Sequence, residues 1–245
     1  MTPEEVAAAT ATPIGAFGRK FYGAEAVGEA MNAAGFAGLP TYVGGRGGVL
    51  GDVASDVVVS AFALFHPAMI EAGWNQTREQ GSPADAATAL AVGIGGWAND
   101  TFGHLDGLQE FATAAQKVID AAQPMSQALY AGWRAMPVPE DPAAASGLAL
   151  QVLRELRFDF HVNALSAVGM TPVQALIARS NPQQAQFFGW TEPFPDPEPL
   201  QSTHREAEEI TSARMAQVYE AIDAEQRAHI AATVSSIAEI VLAKS

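Results

Sequence analysis

The chain has 245 residues, 49% of them hydrophobic, enough to bury a sizeable core as one large domain or two small ones. With 27 Asp and Glu against 13 Lys and Arg, the formal charge is −14, which opposes unspecific attraction to nucleic acid or to an anionic membrane. There is no cysteine, so disulfides, thiolate metal sites and cysteine nucleophiles are excluded.

In chain order, residues 1–13 are rich in Ala, Thr and Pro and read as a loosely held arm or a short helix. Their acidic start is unlike a signal peptide, and no apolar run approaches the roughly 20 residues of a membrane helix, so a soluble cytoplasmic protein is expected. Phe21, Ala24, Val27, Met31 and Ala34 recur at helical spacing and stop at Gly35. From Leu39 to Asp52 runs a glycine-rich segment that lacks both the P-loop ending and the dinucleotide-binding spacing. Its glycines fit a turn or close backbone packing, with Arg46 either structural or a binder of anions. Ser55 opens an apolar run to Phe65, and His66-Pro67 marks a junction, after which a helix is expected to Arg78. A junction histidine caps backbone groups or points into a cavity as a base or ligand.

Ser82-Pro-Ala-Asp85 is a helix start, and that helix should run through Trp97 to about Phe102. Leu105 to Ala122 is amphipathic. A shorter helix holds Leu129, Trp133 and Met136, and the prolines from Pro137 to Pro142 are the strongest candidate for a boundary. Asp141 and Pro142 start a long central helix that ends at Gly169, and Thr171-Pro-Val-Gln174 starts another after a short turn. Helix, glycine turn, helix is a helix-turn-helix outline, but the second helix, Val173 to Ser180, offers only Gln174 and Arg179 to read bases. Asn181-Pro-Gln-Gln184 starts a further turn or two, and residues 190–199 are an acidic, proline-dense crossing. Two last helices follow, one with Ile210, Met215, Val218 and Ile222 inward, the other begun by Asp223…Gln226 with Ile230, Val234, Ile237 and Val241 inward. The expected fold is all-α, a multi-helix globular bundle of nine or ten helices. It has two helical halves, residues 1–136 and 137–245, packed as one unit, with the helix-turn-helix-like element in the second.

The central helix carries most of the candidate chemistry. It is apolar on nearly every side, yet Arg154, Arg157 and His161 share one face at three- and four-residue spacing. Buried guanidinium and imidazole groups need partners, supplied by Glu155, Asp159, another carboxylate, water or a ligand. The leading functional reading is a small-molecule-binding protein with a mostly apolar internal pocket. Arg46, His66, Arg154, Arg157 and His161 would be its polar fixtures and Phe158 part of its wall, together holding a small apolar ligand with an acidic or carbonyl group. The alternative is a cofactor-independent enzyme using His66 or His161 as acid or base. A haem or metal version with His66 or His161 as ligand is the weaker alternative, since no His-Glu-x-x-His spacing occurs; no metal ligand is assigned and the cofactor is unknown. Neither nucleic acid nor membrane is expected as a partner, and a homodimer through the last helices is left open.

Gly45-Arg-Gly-Gly-Val-Leu-Gly51, Phe65-His-Pro67, Leu153-Arg-Glu-Leu-Arg157, His161-Val-Asn-Ala-Leu165 and Gly189-Trp190 together resemble a family of actinobacterial proteins known as SalK-like or as bearing a MarR-like helix-turn-helix. The resemblance runs from about Phe21 to Ile237 and implies a helical fold and, by fold analogy, a transcriptional regulator. Family members commonly carry Arg-Gly-Asp-Gly-His where this chain has Arg157-Phe-Asp-Phe-His161, a change that would reshape a pocket there. The family's winged-helix part is contracted here to the acidic proline crossing.

Overall fold

The computed structural model describes residues 1–179 and 182–243. Among these it has thirteen α-helices and no strand, so the expected all-α bundle stands, with more helices than the nine or ten expected. Ser180 and Asn181, the end of one expected helix and the start of the next, lie outside the described residues.

The first helix, α1 (Pro3–Phe21), replaces the expected loose arm. Thr2 and Glu5 form a reciprocal capping box, Pro3 stands where its missing N–H costs nothing, and Val6, Ile14, Phe17 and Phe21 are buried. Pro13 is tolerated inside α1 because tertiary burial of that face outweighs one lost backbone bond. The segment expected to be one helix from Phe21 is divided by Tyr22 to Ala24, with α2 at Glu25–Ala33.

The glycine-rich segment is also helical: α3 (Leu39–Gly47) runs into a 3-10 turn at Gly48–Leu50. A Cβ at Gly48 would lie 1.9 Å from the Pro83 carbonyl oxygen, so the chain passes here too close for any side chain. The glycines thus serve close approach, which offsets their low helix propensity. Next come α4 (Ser55–Phe62), α5 (Pro67–Gln80), α6 (Pro83–Phe102), α7 (Leu108–Ala121) and α8 (Ala128–Arg134).

The 26-residue α9 (Pro142–Ala167) is the axis of the molecule. Asp141 caps it by accepting the Ala144 N–H at 2.8 Å, and it packs against α1, α6, α7 and α8 and against α12 (Gln201–Tyr219). Gly169, at φ 74°, closes it, with the Met170 N–H bonded back to the Leu165 carbonyl. Then follow α10 (Pro172–Arg179) and α11 (Pro182–Phe187), and after the proline crossing α12 and α13 (Ala224–Ala243). The largest apolar cluster takes residues from both expected halves, from Val6 through Phe111 and Leu156 to Val241. A second cluster lies under α3, α4 and α5, and a third joins the end of α9 to α10 and α11.

One expected helix phase is shifted. Met215, Val218 and Ile222 are buried, but Ile210 is 37% exposed. The inward stripe of α12 is His204, Ala207, Thr211, Met215 and Val218, and it brings two polar groups against α9.

Candidate functional site

The basic groups of α9 do not gather around one cavity with Arg46 and His66, as the sequence led us to expect, but divide among three places. The first is closed. Arg46, 0% exposed, reaches from α3 to Glu155, donating from Nε at 3.0 and 3.2 Å and from Nη2 at 2.8 Å. Its Nη1 donates to the Tyr42 hydroxyl, and its guanidinium lies over the rings of Phe158 and Phe62, 4.3 and 4.7 Å from their centroids. Glu155 also accepts from Arg154 and, at 2.9 Å, from Gln151. Arg154 runs past Gly18, where a Cβ would lie 2.2 Å from Nε, and over Tyr22. Burial raises the Glu155 pKa, but Arg46 and then Arg154 outweigh it and hold the carboxyl below its ordinary value. Phe158 therefore covers the Arg46 guanidinium, and both arginines are matched by a carboxylate of the fold.

His66 occupies the second place. It is the N-cap of α5, its Nδ1 accepting the Ala68 N–H at 3.3 Å, and its ring meets Trp190 edge-on with centroids 5.0 Å apart. Among the described residues it has no partner in common with His161. As a pair of acid–base groups the two do not form one site.

The third place, between α9 and α12, is of a different kind. Arg157 donates to Glu208 Oε2 at 2.7 Å. The Thr211 hydroxyl donates to the Ala207 carbonyl at 2.7 Å, which uses its one proton. The contact between His161 Nδ1 and Thr211 Oγ1, at 3.1 Å, then requires the proton on Nδ1. That leaves a lone pair on His161 Nε2, which faces Glu208 Oε1 at 3.7 Å. Burial pushes the His161 pKa down to about 4, so the ring is neutral at physiological pH and two acceptors oppose each other. Nearby, His204 is 9% exposed, its Nε2 is buried without a hydrogen-bond partner among the described residues, and its ring centroid lies 5.6 Å from that of His161. One ligand atom from each of His161, His204 and Glu208 lies within 4.8 Å of the others.

The sequence reading finds Arg157 and His161 but misses His204, Glu208 and Thr211. Their signal was present: His204-x-x-x-Glu208 puts an imidazole and a carboxylate on one helix face, with Thr211 two turns from the histidine. Apolar walls lie beside them in Ala164, Leu165, Ala175, Leu176 and Ala207. Two cavities lie elsewhere. One of about 20 Å³ borders Trp133 and Leu148, and a surface cleft of about 380 Å³ borders Glu110 and His229. Neither is lined by a residue named as a candidate from sequence.

The helix-turn-helix outline is formed by α9, the Gly169 turn and α10. On α10 the Gln174 side chain is tied back to Thr171, accepting its N–H and its hydroxyl, each at 2.9 Å. Ala175, Leu176 and Ile177 are buried. No helix among the described residues is long and apolar enough to cross a membrane. No curated protein and no solved structure matches the chain. The model of a helix-turn-helix family matches residues 7–198, well over half of the length, from within α1 to the proline crossing, and the chain belongs to that family.

Proposed function

We propose that this member of the helix-turn-helix family binds a small ligand carrying an acidic or carbonyl group between α9 and α12. Arg157, His161, His204 and Glu208 are its polar fixtures and the neighbouring aliphatic residues its walls. The observation that carries this reading is the incomplete pairing there: His161 Nε2 and Glu208 Oε1 face each other with no donor between them, and His204 Nε2 has no partner among the described residues. Buried polar atoms are nearly always satisfied, and unpaired ones mark places where something else binds. Arg157 and Glu208, with side chains 20% and 32% exposed, give the site a side open to solvent. Arg46, Arg154 and Phe158, which the sequence also suggests as ligand contacts, serve in this reading to hold α3 against α9.

Native mass spectrometry of the purified protein should show a retained small molecule, and it reports the oligomeric state in the same spectrum. Arg157→Met and His161→Leu should release that ligand while helicity is kept. Retention by both variants at parental level would overturn the reading.

A second reading, a MarR-like transcriptional regulator, is favoured by the family match over residues 7–198. It requires cationic side chains free to meet phosphates and base edges, whereas α10 has Gln174 engaged in its own cap on a chain of charge −14. A mobility shift at sub-micromolar protein and about 150 mM salt, resistant to unrelated DNA, would establish this reading in place of the first.

A further inference from the structure

We infer that His161, His204 and Glu208 form a binding site for a divalent transition metal of the zinc and cobalt kind, with three protein ligands and an open position. The inference deepens the proposed ligand site, and relies on it only for what fills that position.

Three independent features of the geometry converge. First, the donor set is two imidazoles and one carboxylate, a combination that suits zinc, cobalt or iron and leaves room for a fourth ligand. Second, the atoms on offer are unused. Thr211 fixes the proton on His161 Nδ1 and turns the lone pair of Nε2 toward Glu208, Arg157 takes Oε2 of that carboxylate and leaves Oε1, and His204 Nε2 has no partner among the described residues. A hydrogen bond on the far nitrogen of a ligating histidine, and one on the second oxygen of a ligating carboxylate, are how metal sites orient their ligands. Third, the spacing fits. Tetrahedral ligands at 2.0–2.1 Å from zinc stand about 3.4 Å apart, His161 Nε2 and Glu208 Oε1 are 3.7 Å apart, and one donor atom from each of the three residues lies within 4.8 Å of the others. Small side-chain rotations close the remainder.

With Arg157 alongside, a bound divalent ion leaves the site net positive. The open position therefore favours an anionic or carbonyl oxygen. Glu208 and His204 lie on α12, beyond residue 198 where the family match ends, whereas Arg157 and His161 lie within it.

The test uses the untagged full chain, stripped with chelator and titrated with Co²⁺ alone by visible absorption and with Zn²⁺ alone by calorimetry. One equivalent per chain should bind, with cobalt bands of the intensity typical of four-coordinate nitrogen and oxygen ligation. His204→Gln and Glu208→Gln should each weaken Co²⁺ binding at least 100-fold. Thr211→Val should weaken it about 10- to 100-fold, as loss of a supporting hydrogen bond does, and His229→Gln, at the distant cleft, should change nothing. Should His204→Gln not fold, Glu208→Gln alters a side chain that is one-third exposed and serves in its place. Parental binding no tighter than that of Glu208→Gln, or binding abolished by His229→Gln, would overturn the inference. A ligand that binds the stripped protein without Co²⁺ uptake would overturn the metal site and leave the ligand site standing. Co²⁺ bound as described with no organic ligand retained would do the reverse.

Discussion

Glu155 is the position at which one atom group decides the stability of the α3–α9 contact. Its carboxylate, fully buried, accepts from Arg46 at 2.8, 3.0 and 3.2 Å, from Gln151 at 2.9 Å and from Arg154. Glu155→Gln keeps the shape and removes the charge, leaving two guanidinium groups around a neutral amide, one of them on Arg46 with no exposure to water. Breaking a buried pair from one side costs about 3–5 kcal/mol, a large part of the roughly 5–15 kcal/mol that holds a domain of ordinary stability together. Arg46→Met should cost less, because Glu155 keeps Arg154 and Gln151. The double variant should be more stable than the sum of the two losses implies, by about 1–3 kcal/mol. Urea unfolding followed by far-ultraviolet circular dichroism measures all four proteins. The sign with pH follows from the same pairing. A carboxyl whose folded-state pKa is lowered contributes stability that is present above the ordinary glutamate value and lost as pH falls below it through the folded value. Glu155→Gln should therefore flatten the acid limb of the stability profile. A loss under about 1 kcal/mol, additive behaviour in the cycle, or an unchanged acid limb would each refute the reasoning.

Other expectations concern single contacts. Gly48→Ala must displace backbone, since its Cβ would sit 1.9 Å from the Pro83 carbonyl oxygen, and should cost at least the 1–3 kcal/mol of ordinary overpacking, read as a lower urea midpoint. Asp159, whose carboxyl burial pushes up to about 7, accepts the Tyr130 N–H at 3.0 Å and so caps α8, whose own N-cap Gln127 makes no side-chain bond. Asp159→Ala should therefore lose about 1–3 kcal/mol and Asp159→Asn, which keeps an acceptor, clearly less. His66→Ala removes the α5 cap and its contact with Trp190, and should cost about 0.5–2 kcal/mol in a thermal melt.

What could be read from the sequence was set by how local its cause is. Asp141 before α9, Thr171 with Gln174 before α10 and Asp223 with Gln226 before α13 act within one turn, and each makes its cap. The α1 helix was obscured by Pro13 and its small residues, although its Thr2–Glu5 box was equally local. The glycine-rich α3 could not be read as a helix, because contacts with Pro83, Thr77 and Leu90 in other helices make its glycines necessary. Pairings such as Arg46 with Glu155 span 109 residues and leave no mark on periodicity. On α12 the apolar pattern misled outright: Ile210 points outward while His204 and Thr211 hold the inward stripe, so the polar half of the candidate site looked like surface.

The two polar systems flanking α9 differ in what their carboxylates meet. Around Glu155, Arg46 has no access to water, and the carboxylate is met by two arginines and a glutamine. A ligand entering there would have to displace a bidentate pair and expose a buried guanidinium, a cost of the size just assigned to Glu155→Gln. Around His161 the reverse holds. The protein spends Thr211 and Arg157 on fixing orientations, yet leaves His161 Nε2 3.7 Å from Glu208 Oε1 and His204 Nε2 without a hydrogen-bond partner among the described residues. Acceptors held together in a low-dielectric interior repel, and a fold that needed only stability would gain by turning one of them into a donor or an aliphatic residue. In the proposed reading, a cation or a donor enters from the side that Glu208 and Arg157 leave open.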